Sequence, residues 1–100
     1  MFDVFENWIK ASLNHWNQKG IEVDEIGRHP KHYLMQSIWV KQSTQNTFGQ
    51  IQIWESDNLY VMDFMALDND GQEFYLHYEF TDTYDFDNWQ NEYISFMSGA

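Results

Sequence analysis

The sequence predicts an α+β domain in which an antiparallel meander of four to five β-strands is flanked by an N-terminal and a C-terminal helix. Three observations support this prediction. Apolar residues recur at helical spacing near both ends of the chain, they alternate with polar residues in its middle, and short turn signals separate the alternating runs. A length of 100 residues suits one compact unit, so we expect residues 1–100 to form a single domain.

The N-terminal helix is predicted by a stripe of apolar residues at the i, i+3, i+4 spacing of an amphipathic helix. Asp3 and Glu6 lie near the positive end of the helix dipole, and Lys19 lies near the negative end. Gly20 favours the left-handed backbone conformation that ends many helices. The stripe consists of Phe5, Trp8, Ile9, Leu13 and Trp16.

Alternating or apolar runs between turn signals predict the strands. The run 59–68 is apolar on both faces, which favours a central position in the sheet. The run 72–81 alternates strictly, so that Phe74, Leu76, Tyr78 and Phe80 share one face while Glu73, Tyr75, His77 and Glu79 share the other. The predicted strands are 32–42, 47–56, 59–68 and 72–81, with a short further strand at 21–26.

A second helix is predicted from Asp85 to Ser98, with Asp85 as its N-cap and Asp87 in its first turn. These roles explain part of the acidic, aromatic segment "EFTDTYDFDNWQNEY" at 79–93 without any function. The buried stripe of this helix is predicted to contain Phe86, Trp89, Tyr93, and Phe96 or Met97.

The charge of the chain is unevenly distributed. Residues 1–41 contain all five Lys and Arg residues and five acids, whereas residues 42–100 contain eleven acids and no Lys or Arg, which accounts for the net charge of −11. Such a field repels nucleic acids and anionic lipids and attracts a basic partner. The alternative interpretation is that the charge serves solubility alone.

Motifs for metals and cofactors are weak, and we predict neither. The segment "ALDNDGQEFYLH" resembles a calcium loop, but Ala66 and His77 occupy two of its ligand positions, so "NDG" is better interpreted as a hairpin turn. His29 and His32 have a zinc-like spacing in a basic loop, and the absence of cysteine excludes thiolate zinc sites. The sequence contains neither a phosphate-binding loop nor a nucleophile motif, so nothing in it indicates an enzyme.

Asp63 is the anomalous residue, because a carboxylate inside the apolar run "YVMDFMAL" must be paired or functional. A structural partner, a binding surface and a catalytic acid or base all remain open for it. Aromatic rings beside carboxylates suit a protein interface, where rings supply buried area and acids pair with Lys or Arg. The candidate binding residues are Asp63, Tyr75, His77, Glu79, Asp82 and Tyr84.

The segments "FENWIKASLNHW", "GQIQIWESD", "DFMALDNDGQEFYLHYEFT" and "FDNWQNEY" resemble the TriTu group of bacterial immunity proteins. The resemblance implies a non-enzymatic antidote that binds, in a 1:1 complex, a toxin domain encoded beside it. Such toxins are Rhs-type, are delivered by type VI secretion, and resemble NAD-dependent ADP-ribosyltransferases that modify elongation factor Tu. The chain shows no signal peptide and no membrane span, so we expect a cytoplasmic protein.

Two other functions remain open at this stage. An acidic chain can mimic nucleic acid and occupy a DNA- or RNA-binding protein, although aromatic strands interrupt its acids. A small-molecule enzyme or binding domain would instead need a concave pocket with an ionisable cluster.

Overall fold

A five-stranded antiparallel sheet in the order β1-β2-β3-β4-β5 forms the centre of the fold, with helices at both ends of the chain. The computed structural model describes residues 1–29 and 36–99. This architecture confirms the predicted α+β class, with the short first strand present. The elements are α1 Phe2–Gln18, β1 Glu22–Arg28, β2 Ser37–Ser43, β3 Thr47–Ser56, β4 Leu59–Asp68, β5 Glu73–Phe80, α2 Phe86–Trp89 and α3 Asn91–Ser98.

The observed strands follow the predicted runs closely at β3, β4 and β5. Of the predicted run 32–42, residues 32–35 lie outside the described residues, and β2 begins at Ser37. Strand β1 shifts register between Val23 and Glu25, where it forms a bulge. Val23 and Ile26 are three positions apart but pair with Gln42 and Val40, which are two apart, so the bulge brings both side chains to one face.

Tight turns join β3, β4 and β5. Asp57 and Asn58 both have positive φ angles, 38° and 72°, and Gly71 has a φ of 80°. The Oδ1 atom of Asp68 accepts hydrogen bonds from the backbone N–H groups of Asp70 and Gln72, both at 2.9 Å. The "NDG" segment is therefore a hairpin turn, as predicted, and the carboxylate of Asp68, just before it, binds the backbone of the turn.

Helix α1 packs one stripe on the sheet, but the stripe differs from the prediction at one position. Phe5, Ile9 and Trp16 are buried, whereas Leu13 is 42% exposed and Ser12 is buried in its place. At about 100° per residue, Leu13 lies roughly 80° around the helix from Phe5, and Ser12 lies roughly 20° from it. Helical geometry therefore overrides hydrophobicity at this position.

The predicted C-terminal helix is divided into α2 and α3 at Gln90. This residue has φ −78° and ψ −12°, and its buried Oε1 atom accepts a hydrogen bond of 2.9 Å from the indole N–H of Trp16. Asp85 is the N-cap, as predicted, since its Oδ1 atom accepts the backbone N–H of Asn88 at 3.2 Å.

The core lies between the three helices and one face of the sheet, which we call the covered face. Trp89 of α2 stacks on Tyr78 of β5 with ring centroids 4.5 Å apart, and Tyr93 of α3 donates a hydrogen bond of 2.7 Å to Gln42. Gly49 lets α3 approach closely, because a Cβ atom there would overlap Tyr93 and Met97. None of the described helices has the length and apolar character needed to cross a membrane.

The opposite face of the sheet, which we call the open face, follows from the register of the strands. Its side chains alternate with those that contact the helices, and they form cross-strand rows from β1 to β5. The part of β2–β5 used below consists of Trp39, Lys41, Phe48, Gln50, Gln52, Trp54, Val61, Asp63, Met65, Leu67, Glu73, Tyr75, His77 and Glu79.

Candidate functional site

A cluster of hydrogen-bonded side chains surrounds Asp63 on the open face. Asp63 is only 8% exposed. Its Oδ1 atom accepts hydrogen bonds from the Tyr75 hydroxyl at 2.8 Å and from the His77 Nδ1–H at 2.7 Å. Its Oδ2 atom accepts the indole N–H of Trp54 at 3.1 Å. The buried carboxylate therefore has three partners, which fits the structural interpretation of Asp63.

Strand register explains why these four residues meet. Asp63 of β4 lies directly opposite His77 of β5. On β5, Tyr75 is two positions from His77. On β3, Gln52 lies opposite Asp63, and Trp54 is two positions from Gln52. Tyr75 and Trp54 therefore both lie diagonally across from Asp63. Long aromatic side chains reach diagonal neighbours across a sheet. The regular alternation of β3, β4 and β5 thus assembles the cluster.

His77 lies between two carboxylates. Its Nδ1 atom binds Asp63, and its Nε2 atom is 3.4 Å from Oε1 of Glu79. The hydrogen bond from Asp63 raises the pKa of His77 above its usual value, and the hydrogen bond and charge of Glu79 add to this effect against the opposing effect of burial. Because both ring nitrogens face carboxylate oxygens, the surroundings favour the imidazolium form, in which both nitrogens are protonated. The ring in that form cannot abstract a proton.

Tyr75 presents its ring to solvent while its hydroxyl is held. The side chain is 60% exposed, and its ring lies nearly parallel to that of His77, at 15° and 6.3 Å. The hydrogen bond to Asp63 also raises the pKa of the Tyr75 hydroxyl. A fixed, exposed aromatic ring loses little side-chain entropy on binding, which suits a protein interface.

Asp82 and Tyr84 do not join this cluster. Both lie in the segment after β5, where Asp82 is exposed. The Tyr84 ring stacks on Phe86 at 4.7 Å and also contacts Phe80, and both of these partners belong to the core on the covered face. The structure therefore brings together four of the six candidate residues and places the other two beyond the end of β5.

Two exposed apolar residues on the open face were not among the predicted site residues. Phe48 is 67% exposed and Leu67 is 46% exposed, and they lie opposite each other on β3 and β4. The sequence contained a signal for Phe48, because its position has the opposite parity to Ile51 and Ile53, which are buried. An apolar residue on the polar side of an alternating strand indicates a contact surface.

Within residues 1–29 and 36–99, no group of three His, Asp or Glu side chains could hold a metal ion. His29 Nδ1 lies 2.7 Å from the Ser37 hydroxyl, and His32, which has a zinc-like spacing from His29 in the sequence, lies outside the described residues.

Comparison with known proteins identifies the family. The sequence model of the family described as immunity protein TriTu matches residues 3–96. The chain belongs to the TriTu family of immunity proteins. The match extends from α1 into α3, so it covers the helices and the whole sheet, and it confirms the resemblance seen in the sequence. Neither a curated protein nor a solved structure matches the chain.

Membership of the TriTu family gives the site its context. An immunity protein binds a cognate toxin, so the relevant feature of the molecule is a surface that a partner protein can cover. The open face has exposed aromatic rings, which supply binding energy at many protein interfaces, and carboxylates, which can pair with basic groups of a partner.

Proposed function

We propose that the chain neutralises its cognate toxin by binding it through the open face of the sheet and occluding the active site of the toxin. Family membership supplies the class of partner. The observation that carries the choice of face is Tyr75, which is 60% exposed and held by Asp63 next to His77 and Glu79.

The toxin in this proposal is an Rhs-type, NAD-dependent ADP-ribosyltransferase that modifies elongation factor Tu and is delivered by type VI secretion. This identity rests on the family resemblance. The complex forms 1:1 in the bacterial cytoplasm, where the antidote protects the cell that produces the toxin.

Charge supports this choice of partner. A cleft that binds the pyrophosphate of NAD requires positive groups, whereas residues 42–100 of this chain carry eleven acids and no Lys or Arg. Opposite charge on two partners raises their association rate by about 10–10³-fold. A rapidly captured toxin has little time to modify its target, which is what an antidote requires.

The residues of the site have different roles in the proposal. The carboxylate of Asp63 is already occupied by three donors, so Asp63 positions Tyr75 and His77 and leaves the contacts with the toxin to other groups. Tyr75, His77 and Glu79 form the centre of the contact. Asp82 and Tyr84, beyond the end of β5, belong to its rim.

A matched pair of charge reversals tests the proposal. Glu79→Lys changes the open face, and Glu92→Lys makes the same change at an exposed position of α3, on the side of the covered face. The partner is the toxin domain encoded next to this gene, and Kd is measured at two salt concentrations. We expect Glu79→Lys to weaken binding at least ~10-fold, because an interfacial charge meets a like charge. Glu92→Lys should change it less than ~3-fold.

Growth of cells that express the toxin gives a second readout. The wild-type chain should restore growth, and Glu79→Lys should do so less well. Equal effects of the two reversals would show that net charge alone matters and that the open face is wrongly assigned. Failure of the wild-type chain to bind the toxin or restore growth would contradict the proposed partner.

A further inference from the structure

An apolar groove crosses the open face near the β2–β3 and β4–β5 turns. Its volume is about 570 Å³, within the range of roughly 300–1,000 Å³ that is typical of ligand pockets. Two cross-strand rows form it. One row contains Gln50, Met65 and Tyr75, and the other contains Phe48, Leu67 and Glu73.

The groove exposes apolar surface to water, although the fold does not require this exposure. Phe48, Leu67 and Tyr75 are 67%, 46% and 60% exposed, while the core on the covered face is complete without them. Contiguous exposed apolar surface on a protein indicates a surface that a partner covers. Tyr75 belongs both to this groove and to the Asp63 cluster, so the two features form one continuous area.

The charges around the groove indicate the chemistry of its occupant. Lys41 is the basic residue among its lining, and its ammonium group lies 3.7 Å from Oε2 of Glu25, so its charge is balanced within the chain. Asp24 and Glu73 also line the groove and are exposed. The margin is therefore acidic while the floor is apolar.

A second copy of the chain fits such a margin poorly. Each copy carries a net charge of −11, and pairing two open faces would bring acidic margins together. Like charges that face each other across an interface weaken binding. Charge complementarity instead favours a basic partner.

We propose that the groove receives an aromatic or long aliphatic side chain of the toxin, with an adjacent Lys or Arg of the toxin pairing with Glu73. This inference rests on the proposed function of the open face and adds the chemistry of the segment that binds there. The apolar side chain is the anchor of the interface, and the basic residue sets its orientation along the groove.

Two leucines of similar exposure provide a matched test. Leu67 lines the groove, and Leu13, which is 42% exposed, lies on α1 away from the open face. Affinity for the toxin domain encoded next to this gene is measured by calorimetry. Leu67→Ala and Phe48→Ala should each raise Kd at least ~10-fold, as truncation of an interface anchor does. Leu13→Ala should change Kd less than ~2-fold. Glu73→Gln should reduce the salt dependence of Kd.

The outcomes separate this inference from the proposed function. If Leu67→Ala and Phe48→Ala bind as the wild type does while Glu79→Lys is impaired, the open face binds the toxin and the groove inference is wrong. If the wild-type chain does not bind the toxin at all, the proposed function is wrong, and the groove inference is wrong with it. If the isolated chain sediments as a dimer that Phe48→Ala dissociates, a second copy occupies the groove and the inference is overturned. Thermal melts show whether each variant is folded.

Discussion

On the covered face, Phe64 is fully buried and contacts the ring of Tyr93 at 5.5 Å, whereas on the open face Phe48 of the neighbouring strand is 67% exposed. The carboxylates of the two regions show the opposite exposure, since Asp87 is exposed and Asp63 is buried. Asp87 accepts the indole N–H of Trp8 at 2.9 Å and thereby joins α2 to α1.

Asp63 makes a similar bond of 3.1 Å with Trp54, but it also holds Tyr75, whose ring stays in solvent. A carboxylate bonded to an indole N–H thus joins two helices over the core on one side of the sheet, and lies beneath an exposed ring on the other side. In this chain, residue type therefore does not distinguish side chains that close the core from side chains that leave apolar surface exposed. The exposed fraction of the ring distinguishes them.

The largest effect expected from this contrast is on stability. Phe64→Ala should lower the free energy of unfolding by about 3–5 kcal/mol, because it removes a fully buried ring and leaves a cavity. Phe48→Ala removes the same ring from a mostly exposed position and should change the free energy of unfolding by less than about 0.5 kcal/mol. Urea denaturation followed by tryptophan fluorescence measures both.

The test variant Phe64→Ala and its control Phe48→Ala are thus the same substitution on adjacent strands. A loss above about 2 kcal/mol for Phe48→Ala would mean that the fold depends on the open face. In that case a binding defect of this variant could not be attributed to the groove.

A smaller effect is expected at the helix that completes the covered face. Asp85→Ala removes the hydrogen bond of 3.2 Å to the N–H of Asn88 and should cost about 1 kcal/mol of unfolding free energy. Asp82→Ala removes an exposed carboxylate for which the structure shows no bond to the described residues, and it should cost little. Equal losses for the two variants would mean that α2 does not depend on this cap.

The sequence predicted those parts of the molecule that depend on local periodicity. The strict period of two in 72–81 placed Tyr75, His77 and Glu79 on one face, and the structure adds Asp63 of the adjacent strand by pairing it with His77. The apolar stripe of α1 was predictable for the same reason, apart from Leu13, where the angle around the helix decided burial.

Features that depend on tertiary contacts were not predictable in this way. The division of the C-terminal helix at Gln90 accompanies a hydrogen bond to Trp16, which is 74 positions away in sequence. The groove arises because Phe48, Leu67 and Glu73 become neighbours across three strands. The three hydrogen bonds that the Asp63 carboxylate accepts also depend on the positions of Trp54 and Tyr75, which the alternation of one strand does not give.

The smallest expected effect concerns His77 and the pH dependence of stability. Asp63 and Glu79 face its ring and raise its pKa above the unfolded value of about 6.5, and the Tyr75 hydroxyl lies beside it. A folded-state pKa above the unfolded value means that the stabilisation is fully present below about pH 6.5 and is lost as the pH rises through the folded pKa.

His77→Gln should therefore destabilise the chain more at pH 6 than at pH 9, with the difference between variant and wild type shrinking as the pH rises. Urea titrations at several pH values measure this difference, and NMR titration of the His77 ring measures the pKa directly. A midpoint at or below 6.5, or a difference between variant and wild type that does not change with pH, would show that Asp63 holds His77 as a neutral ring. The open face would then present Glu79 without a cation beside it. Its negative potential toward a basic toxin would be larger than the proposed arrangement implies, and the salt dependence of binding would be steeper.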